Sequence, residues 1–595
     1  MPLINGDLFM TDERVATLTT LLAEPDFAEI RPEGQSLYDY SVTTLRRALR
    51  INRAGVTANS MWLGRGEPSE FPDFLRAMGW IGAYDASLLN VLVSHQIAGD
   101  ACLSHADPAQ LERFAPEIDS MERVYCFASS ELHAGSDLTR IGTTATYRHA
   151  DRSLVLHTPE PADSKVWIGN SLHTGDVAMV LCRLRVGDRD EGHHWLRVPL
   201  RTDGRLNQGV SVQGAEPKGG VEANQTGIIR FDQCVLPLSA LMGRWARIDE
   251  QGVYHSPVRR YRRFDECLAT FTHERLFPSM AAAMAQRLAC AITTRFAAVK
   301  RTFGAPLLGH AHYRMRLRTA AGRALAARHA LEGLVEQAVR RVGTRHPAED
   351  RLLHALITCA KTGSTGDARL TLADTRELCG GLGYHRLNQI SPLQHDYEIA
   401  VTFGGDNTVL GYQASRFALR EREDLAAVLD DAVRETADGG TDPDTRFLVT
   451  ALRRLCDVLL DEVDSEGPGA ASTAWSRAVH QTLAAGRWAG HTGGPAGRGL
   501  LRHYAAGCLL EHGMTGLRAG VLTPDDLLRA DRLRAEEGAA ELPADELLAL
   551  LDVPEALVRA PIAYDDFAER HLRRAATPHG VPGGEGVAVA VTASV

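Results

Sequence analysis

Apolar residues recur every three or four positions along most of the chain, and one internal region breaks this pattern. Within the first 123 residues, runs such as TLTTLLAEPDF, SVTTLRRALRINRAG and LLNVLVSHQIAGDACL have the spacing of amphipathic helices. From about residue 124 to 240 the runs become short and β-prone, as in TTATYRHADRSLVLH and GDVAMVLCRLRV, and Gly, Asp and Pro separate them. The pattern predicts a helical region followed by a compact β-domain.

Helical periodicity returns near Phe271 and continues to about residue 425. A further helical region follows, interrupted by polar stretches at 436–444 and 465–473 that we predict to be loops. A chain of 595 residues is expected to form three or four domains, at roughly 100–200 residues each. The predicted fold is mainly α with a central β-domain. Its regions are an N-terminal helical domain (1–123), a β-barrel-like domain (124–240), a helical bundle (241–425) and a C-terminal helical extension (426–595).

Composition excludes several classes of protein. The net charge is −10 and the basic residues form no block, so nucleic acid is not an expected partner. Ten cysteines occur singly without CxxC spacing, which is typical of reduced thiols. No apolar run reaches the roughly 18–20 residues of a membrane span, and neither terminus carries a signal or peroxisomal address. We therefore expect a cytoplasmic protein without membrane insertion.

Five motifs punctuate the chain, and each combines small or aromatic residues with polar ones. They are YCFASSELHAGSDL (125–138), KVWIGNSLHTGDVAMVLCRL (165–184), VKRTFG (299–304), CGGLGYHRLNQ (379–389) and VTFGGDNTVL (401–410). In the first, small residues allow the backbone to approach a flat ring, and hydroxyls offer hydrogen bonds. In this order and spacing the motifs resemble the acyl-CoA dehydrogenase/acyl-CoA oxidase flavoenzyme family over about residues 90–425. The last motif and the C-terminal extension resemble the oxidase branch.

The resemblance implies an N-terminal helical domain, a central β-domain and a four-helix bundle, with FAD between the last two. It also implies which residues contact the cofactor. Ser130 is expected to hydrogen-bond the flavin, and Trp167 is expected beside its ring. Ser136 is expected to face CoA, and Gly169 stands where dehydrogenases carry a Thr. Those that reach the FAD of a neighbouring subunit or its pyrophosphate are Lys300, Thr302, Phe303, Gly380 and Gly381. Subunits that share FAD imply a homodimer or a higher homo-oligomer.

The position of the catalytic base is unusual. Family enzymes remove a weakly acidic α-proton with a Glu that precedes the Gly of the last motif, and here that position is Gly404. Isovaleryl and long-chain dehydrogenases instead carry a Glu directly before an Arg at the start of a bundle helix, and this sequence has Glu274-Arg275 there. We hypothesise that Glu274 is the base. The other interpretation is that a Glu near a helix start only complements the helix dipole.

Further roles follow from the same resemblance. Gly404 keeps a backbone N–H that can stabilise the thioester oxygen, Arg275 matches a contact to CoA, and Asp406 is expected near the cofactor. His133 is a candidate for bonding the substrate. Four other histidines lack carboxylates or cysteines at ligand spacing, so no metal site is predicted. They are His193, His194, His310 and His312.

The leading hypothesis is an FAD-dependent α,β-dehydrogenation of an acyl thioester, bound to CoA or a carrier protein, to the 2-enoyl thioester. O2 is the expected oxidant. Two alternatives remain open at this point, because a fold does not determine a function. One is a flavin-dependent monooxygenase or N-hydroxylase on the same fold, and the other is a non-catalytic subunit of a heteromeric flavoenzyme.

Overall fold

The computed structural model describes residues 13–32, 34–57, 70–215, 217–268, 274–339, 347–438, 442–491 and 494–575. All candidate site residues lie within these ranges. The described elements run from helices to strands and back to helices, so the predicted mainly α fold with a central β-domain is confirmed. The exact domain boundaries stay a prediction.

Five helices precede the first strand, and polar side chains cap three of them. Ser36, Asp85 and Asp107 accept hydrogen bonds from backbone N–H groups in the first turns of the second, fourth and fifth helices. The helices are α1 (Glu13–Leu22), α2 (Leu37–Arg53), α3 (Phe71–Tyr84), α4 (Ala86–His105) and α5 (Pro108–Asp119). Helix α4 is buried on nearly all sides, because the β-domain and the bundle both pack on it.

The β-domain is built on the long strand β5, which pairs in parallel with β1 and β2 and antiparallel with β6. The strands are β1 (Tyr125–Ala128), β2 (Thr144–Arg148), β3 (Ser153–His157), β4 (Lys165–Ile168), β5 (Val177–Val186), β6 (Arg189–Pro199), β7 (Arg201–Thr202), β8 (Arg205–Leu206), β9 (Val210–Gly214), β10 (Gly227–Phe231), β11 (Cys234–Pro237), β12 (Arg247–Ile248) and β13 (Tyr254–His255). The main sheet has the order β1-β5-β2-β3-β11, and β4-β10-β9 form a smaller sheet.

The bundle begins with an alanine-rich helix that packs directly against α3. Its helices are α6 (Arg263–Leu268), α7 (Leu276–Val299), α8 (Ala311–Val339), α9 (Pro347–Leu378), α10 (Gly380–Tyr384), α11 (Ile390–Glu398) and α12 (Asn407–Arg420), with a hairpin of β14 (Arg301–Thr302) and β15 (Ala305–Pro306) between α7 and α8. A Cβ placed on Gly82 would lie 2.6 Å from the Cβ of Ala281. The small residues therefore set the close approach of α3 and α7.

The C-terminal extension is helical and packs onto the bundle through α8 and α9. Its helices are α13 (Arg422–Asp438), α14 (Pro443–Glu466), α15 (Ala470–Gly490), α16 (Gly494–Glu511), α17 (Gly513–Arg518), α18 (Pro524–Ala539), α19 (Ala544–Leu551) and α20 (Phe567–Ala575). The guanidinium of Arg477 on α15 lies 2.9 Å from the carboxylate of Asp367, which is buried on α9.

The two loops predicted in the extension, 436–444 and 465–473, are shorter in the structure than predicted. Helix α13 continues to Asp438 and α14 begins at Pro443, so helix takes up both ends of the stretch 436–444. Helix α14 then ends at Glu466 and α15 begins at Ala470. The turn residues therefore act as helix caps and first-turn residues rather than as extended loops. Within the described residues, no helix is long and apolar enough to cross a membrane.

Candidate functional site

Glu274 lies at the entrance to α7, two residues before its first residue. Part of the residue reaches solvent, but its Oε2 atom is buried and finds no hydrogen-bond partner among the described residues. Burial raises the pKa of Glu274 to about 8, with the charge of Asp100 adding to the shift and those of Arg275 and Lys361 opposing it. A carboxyl with such a pKa exchanges protons near neutral pH, as a general base must.

Arg275 points away from any open surface. It is 6% exposed, and its guanidinium donates to Thr358 Oγ1 at 2.6 Å and to Gln413 Oε1 at 3.2 Å and contacts His354 Nε2 at 2.8 Å. Burial lowers the pKa of Arg275 to about 10, so it keeps its charge at neutral pH. These bonds tie the start of α7 to α9 and α12. They do not support the expected CoA contact, which stays a prediction.

The two glycines of VTFGGDNTVL occupy the left-handed region, with φ of +65° at Gly404 and +98° at Gly405. Side chains other than glycine rarely adopt this backbone, so the turn itself favours the pair. A Cβ on Gly404 would lie 3.8 Å from Pro278 Cγ and 3.9 Å from Lys361 Cε, without a clash. Position 404 thus projects toward the start of α7, where Glu274 stands. Gly404 and Glu274 therefore both lie near the start of α7.

Asp406 has a clear structural role. Its Oδ1 accepts hydrogen bonds from the N–H groups of Thr408 at 2.9 Å and Val409 at 3.3 Å, which caps α12. The cap explains why an Asp follows the two glycines at this point. The expected position of Asp406 near the cofactor remains a prediction that the cap does not require.

The first two motifs meet at an exposed aromatic residue. Trp167 is 60% exposed and has a φ of +58°, and its ring lies 3.6 Å from the place of a Cβ on Gly135. An aromatic side chain held outward on an uncommon backbone is typical of a ligand site. Ser130 follows β1 and accepts a hydrogen bond from Val166 through its carbonyl, while Ser136 is exposed on the loop. The structure therefore brings Trp167 beside the loop of the first motif.

Gly169 has a packing reason to be a glycine. A Cβ there would lie 2.3 Å from Ser94 Oγ and 3.0 Å from Asn224 Nδ2. No larger residue fits without movement of α4 or of the loop that carries Asn224. Packing therefore accounts for a glycine at this position.

Three of the remaining predicted cofactor residues, Phe303, Gly380 and Gly381, are exposed, and Lys300 and Thr302 are partly buried. Phe303 is 99% exposed with a φ of +48° at the turn of the β14–β15 hairpin. Thr302 is the last residue of β14, and Lys300 directly precedes that strand. Gly380 and Gly381 follow α9, and no atom lies within 4 Å of a Cβ placed on either. Open space at these glycines and an outward phenyl ring fit contacts to a large ligand or to a second subunit.

His133 is engaged inside its own loop. Its Nδ1 lies 2.8 Å from Ala162 O and its Nε2 3.1 Å from Arg140 O, so both nitrogens face carbonyls and the protonated ring donates to both. These bonds raise the pKa of His133. The expected substrate contact stays a prediction that this geometry does not support.

Glu131, His133 and Asp163 place ligand atoms within 4.8 Å of one another, which is a spacing that can hold a metal ion. Their atoms are already committed, however. Glu131 accepts from the N–H groups of Gly142 at 2.6 Å and Thr143 at 3.1 Å and lies 3.0 Å from the buried ammonium of Lys165. We interpret the group as a polar network that closes the first motif.

Two of the other histidines considered as ligands, His194 and His310, have hydrogen-bond partners inside the protein. His194 bonds Tyr254 Oη at 2.8 Å, and burial lowers its pKa to about 4. The pKa of His193 is likewise lowered by burial. His310 contacts Thr302 O at 3.1 Å. These bonds give the histidines structural roles.

Sequence reasoning missed Lys361. It is completely buried on α9, beside Gly404, and burial lowers its pKa to about 7. A signal was available, because the chain has four lysines among 65 basic residues and this one interrupts the apolar run LHALITCAKTG. Missed with it was Asp100, whose pKa burial raises to about 7.

Two parts of the chain match known domain families. Residues 126–234 match the acyl-CoA dehydrogenase middle domain, and residues 268–419 match the acyl-CoA oxidase C-alpha1 domain. The peroxisomal acyl-coenzyme A oxidase 2 of Arabidopsis thaliana is 28% identical over 413 residues, which cover 66% of this chain and 60% of that protein. The chain spans between 51% and 60% of the length of the first curated relatives that it matches.

Solved structures agree over nearly the full chain. Arabidopsis thaliana acyl-CoA oxidase 1 superimposes with a TM-score of 0.79 at 20% identity, covering 98% of this chain and 95% of that one. Acyl-CoA oxidase-2 of Caenorhabditis elegans, bound with FAD, ascaroside-CoA and ATP, superimposes with a TM-score of 0.75 at 19% identity, covering 98% and 93%. At these identities the likeness establishes the fold.

Proposed function

We propose that this chain, which has the acyl-CoA oxidase fold and domains of the acyl-CoA dehydrogenase/acyl-CoA oxidase family, oxidises an acyl thioester to the 2-enoyl thioester. The observation that carries the proposal is the carboxyl of Glu274, which is buried and unpaired among the described residues and titrates near pH 8. It lies at the region toward which position 404 projects. The thioester is bound to CoA or to a carrier protein.

In the proposed reaction the carboxylate of Glu274 takes the proton from Cα of the substrate. A base whose pKa lies near the working pH combines an ionised form with sufficient basicity, whereas an ordinary carboxylate is too weak. The N–H of Gly404 is free of a side chain beside it and donates to the thioester oxygen as negative charge develops there. One proton and one hydride leave neighbouring carbons, and a double bond forms between them.

The proposed cofactor is FAD, which accepts the hydride when bound. The observations that fit it are the outward ring of Trp167, the open space at Gly380 and Gly381, and the exposed hydroxyl loop that carries Ser136. A related Caenorhabditis elegans oxidase holds FAD in its crystal structure. O2 is the proposed oxidant.

A homodimer is the proposed assembly. Phe303 extends into solvent on the β14–β15 hairpin, and the sequence resemblance assigns this segment to a neighbouring subunit. The exposed ring leaves this segment accessible to a second subunit. A cytoplasmic location is likewise proposed from the ten free, buried cysteines, although the related Arabidopsis protein is named as peroxisomal. Size-exclusion chromatography with light scattering measures the assembly.

The test is Glu274→Gln mixed anaerobically with a panel of acyl-CoA thioesters. We expect unchanged FAD content and a loss of flavin reduction of about 10²–10⁴-fold, the usual contribution of a general base. Glu423→Gln is the matched control, because it removes the same charge at an exposed position of α13. Wild-type rates in Glu274→Gln would remove the base assignment.

The same experiment separates the alternatives. Flavin bleaching by a thioester without added reductant supports dehydrogenation, whereas bleaching only with NADPH or a reductase supports a monooxygenase. A purified protein that takes up no FAD, and whose folded state is confirmed by circular dichroism, supports a non-catalytic subunit.

A further inference from the structure

Lys361 connects the glycine turn to the centre of the bundle. Its Nζ donates to the carbonyl of Gly405 at 2.7 Å and to Asn407 Oδ1 at 2.8 Å. The amide of Asn407 in turn donates to Thr362 O at 3.2 Å and Thr365 Oγ1 at 3.1 Å, both on α9. The turn between Phe403 and α12 is thereby fastened to α9 by one buried network.

The same lysine forms a wall of the region between Gly404 and α7. A Cβ on Gly404 would lie 3.9 Å from Lys361 Cε and 3.8 Å from Pro278 Cγ. Pro278 stands one helical turn after Glu274. Lys361 is therefore packed beside the backbone group proposed as the oxyanion donor and in the field of the proposed base.

Every charge that acts on Lys361 belongs to this neighbourhood. Burial and the charge of Arg275 lower the pKa of Lys361, and Asp406 and Glu274 raise it. Lys361 acts reciprocally on Glu274, whose other charged neighbours are Arg275 and Asp100. The charges of Lys361 and Glu274 therefore each favour the ionised form of the other.

We propose that Lys361 is a positioning residue of this site, which holds the Gly404 N–H in place and favours the carboxylate form of Glu274. The proposal rests on the proposed function. The hydrogen bonds to Gly405 and Asn407 keep the turn in the left-handed conformation that aims the N–H of Gly404. When Lys361 is protonated, its charge offsets part of the cost of an ionised, buried carboxyl.

The first test compares the pH dependence of anaerobic flavin reduction in the wild type, Lys361→Met and Lys361→Arg. We expect Lys361→Met to slow flavin reduction and to move the apparent pKa of the rising limb upward by less than about one pH unit, because Lys361, with a pKa of about 7, is only partly charged near pH 8. Lys361→Arg keeps the charge and is expected to hold the apparent pKa near the wild-type value, even with a slower rate. Arg369→Met is the matched control, because it removes one positive charge from an exposed position of the same helix.

The second test is independent of turnover. The chain has four lysines, Lys165, Lys218, Lys300 and Lys361, so carbon-13 labelling at lysine Cε gives few NMR signals, and Lys361→Arg assigns the one of interest. Loss of a negative neighbour disfavours the ammonium form. We expect Glu274→Gln to lower the pH at which this signal titrates, and Glu423→Gln to leave it in place.

The outcomes distinguish the two proposals. If Glu274→Gln abolishes reduction but Lys361→Met leaves the pH profile at the position of the Arg369→Met control, the Lys361 proposal alone is wrong. If Glu274→Gln reduces flavin at the wild-type rate, the base assignment is wrong, and the NMR titration still decides whether the two groups are coupled. An unmoved Lys361 signal in Glu274→Gln overturns the coupling whatever the rates.

Discussion

Replacing Glu274 by Gln changes the pH dependence of stability as well as the chemistry. Burial raises the pKa of the folded carboxyl from 4.5 to about 8. Between these values the folded protein holds a proton that the unfolded chain has released, so the free energy of unfolding falls as pH rises. The contribution of protonated Glu274 to the free energy of unfolding is therefore complete below about pH 4.5 and is lost above about pH 8.

The magnitude follows from linkage. One proton difference changes the free energy of unfolding by about 1.4 kcal/mol per pH unit. An unfolding entropy of about 2.1 cal/mol/K per residue gives about 1.2 kcal/mol/K for the whole chain, so the melting temperature changes by about 1 °C per pH unit. Glutamine is neutral at every pH. We therefore expect the melting temperature of Glu274→Gln, relative to that of the wild type, to rise by about 1 °C with each pH unit between pH 5 and 8.

Differential scanning calorimetry of the FAD-loaded proteins at several pH values measures this difference. Asp396 is another buried acid, and burial raises its pKa to about 7; its charge does not act on Glu274, so its contribution cancels between wild type and variant. Glu423→Gln on the surface of α13 should follow the wild type throughout. A difference between wild type and Glu274→Gln that stays constant with pH would refute the buried, raised-pKa carboxyl.

Three further outcomes are expected. The rate of anaerobic flavin reduction in the wild type should rise with pH to a plateau, with a midpoint near the pKa of about 8 of Glu274, because the ionised form is the base; a flat profile contradicts this. Gly404→Glu added to Glu274→Gln should recover at least about tenfold in reduction rate, because its Cβ has room, despite a cost on the order of 1 kcal/mol for a left-handed glutamate; no gain over Gly404→Ala in the same background contradicts it. Gly82→Ala should destabilise the protein by about 1–3 kcal/mol in thermal melts, because its Cβ meets Ala281, whereas Gly333→Ala on α8, 3.9 Å from its nearest neighbour, should be neutral or stabilising; equal effects would contradict the packing argument.

Periodicity was sufficient for the fold, because each long element carries its own pattern. The helix–sheet–helix order and the resemblance to acyl-CoA oxidases are confirmed. The loops 436–444 and 465–473 were predicted too long, because a run of Gly, Pro and Asp reads as a loop when its residues in fact cap helices. Capping depends on a few local hydrogen bonds, which composition does not reveal.

The site was only partly accessible from the sequence. The glycine at position 404 and the Glu274-Arg275 pair at the start of a bundle helix are both visible in the sequence, and together they predict Glu274 as the base. The burial of the Arg275 side chain depends on hydrogen-bond partners that lie 79 to 138 positions away in the sequence. A local sequence pattern cannot predict such distant partners. Lys361 was missed for a related reason, because its acceptors, Gly405 and Asn407, lie on another element.

The ion pair between Arg477 and Asp367 has a practical consequence for shortening the chain. Asp367 is 1% exposed on the helix that also carries Lys361, and α15 covers it. Removing the chain after α12 would leave the carboxylate of Asp367 without its ion-pair partner Arg477 and would expose the apolar side of α9. We therefore expect a chain shortened to the bundle to be less stable than the full chain, because the final third covers the helix that carries Lys361.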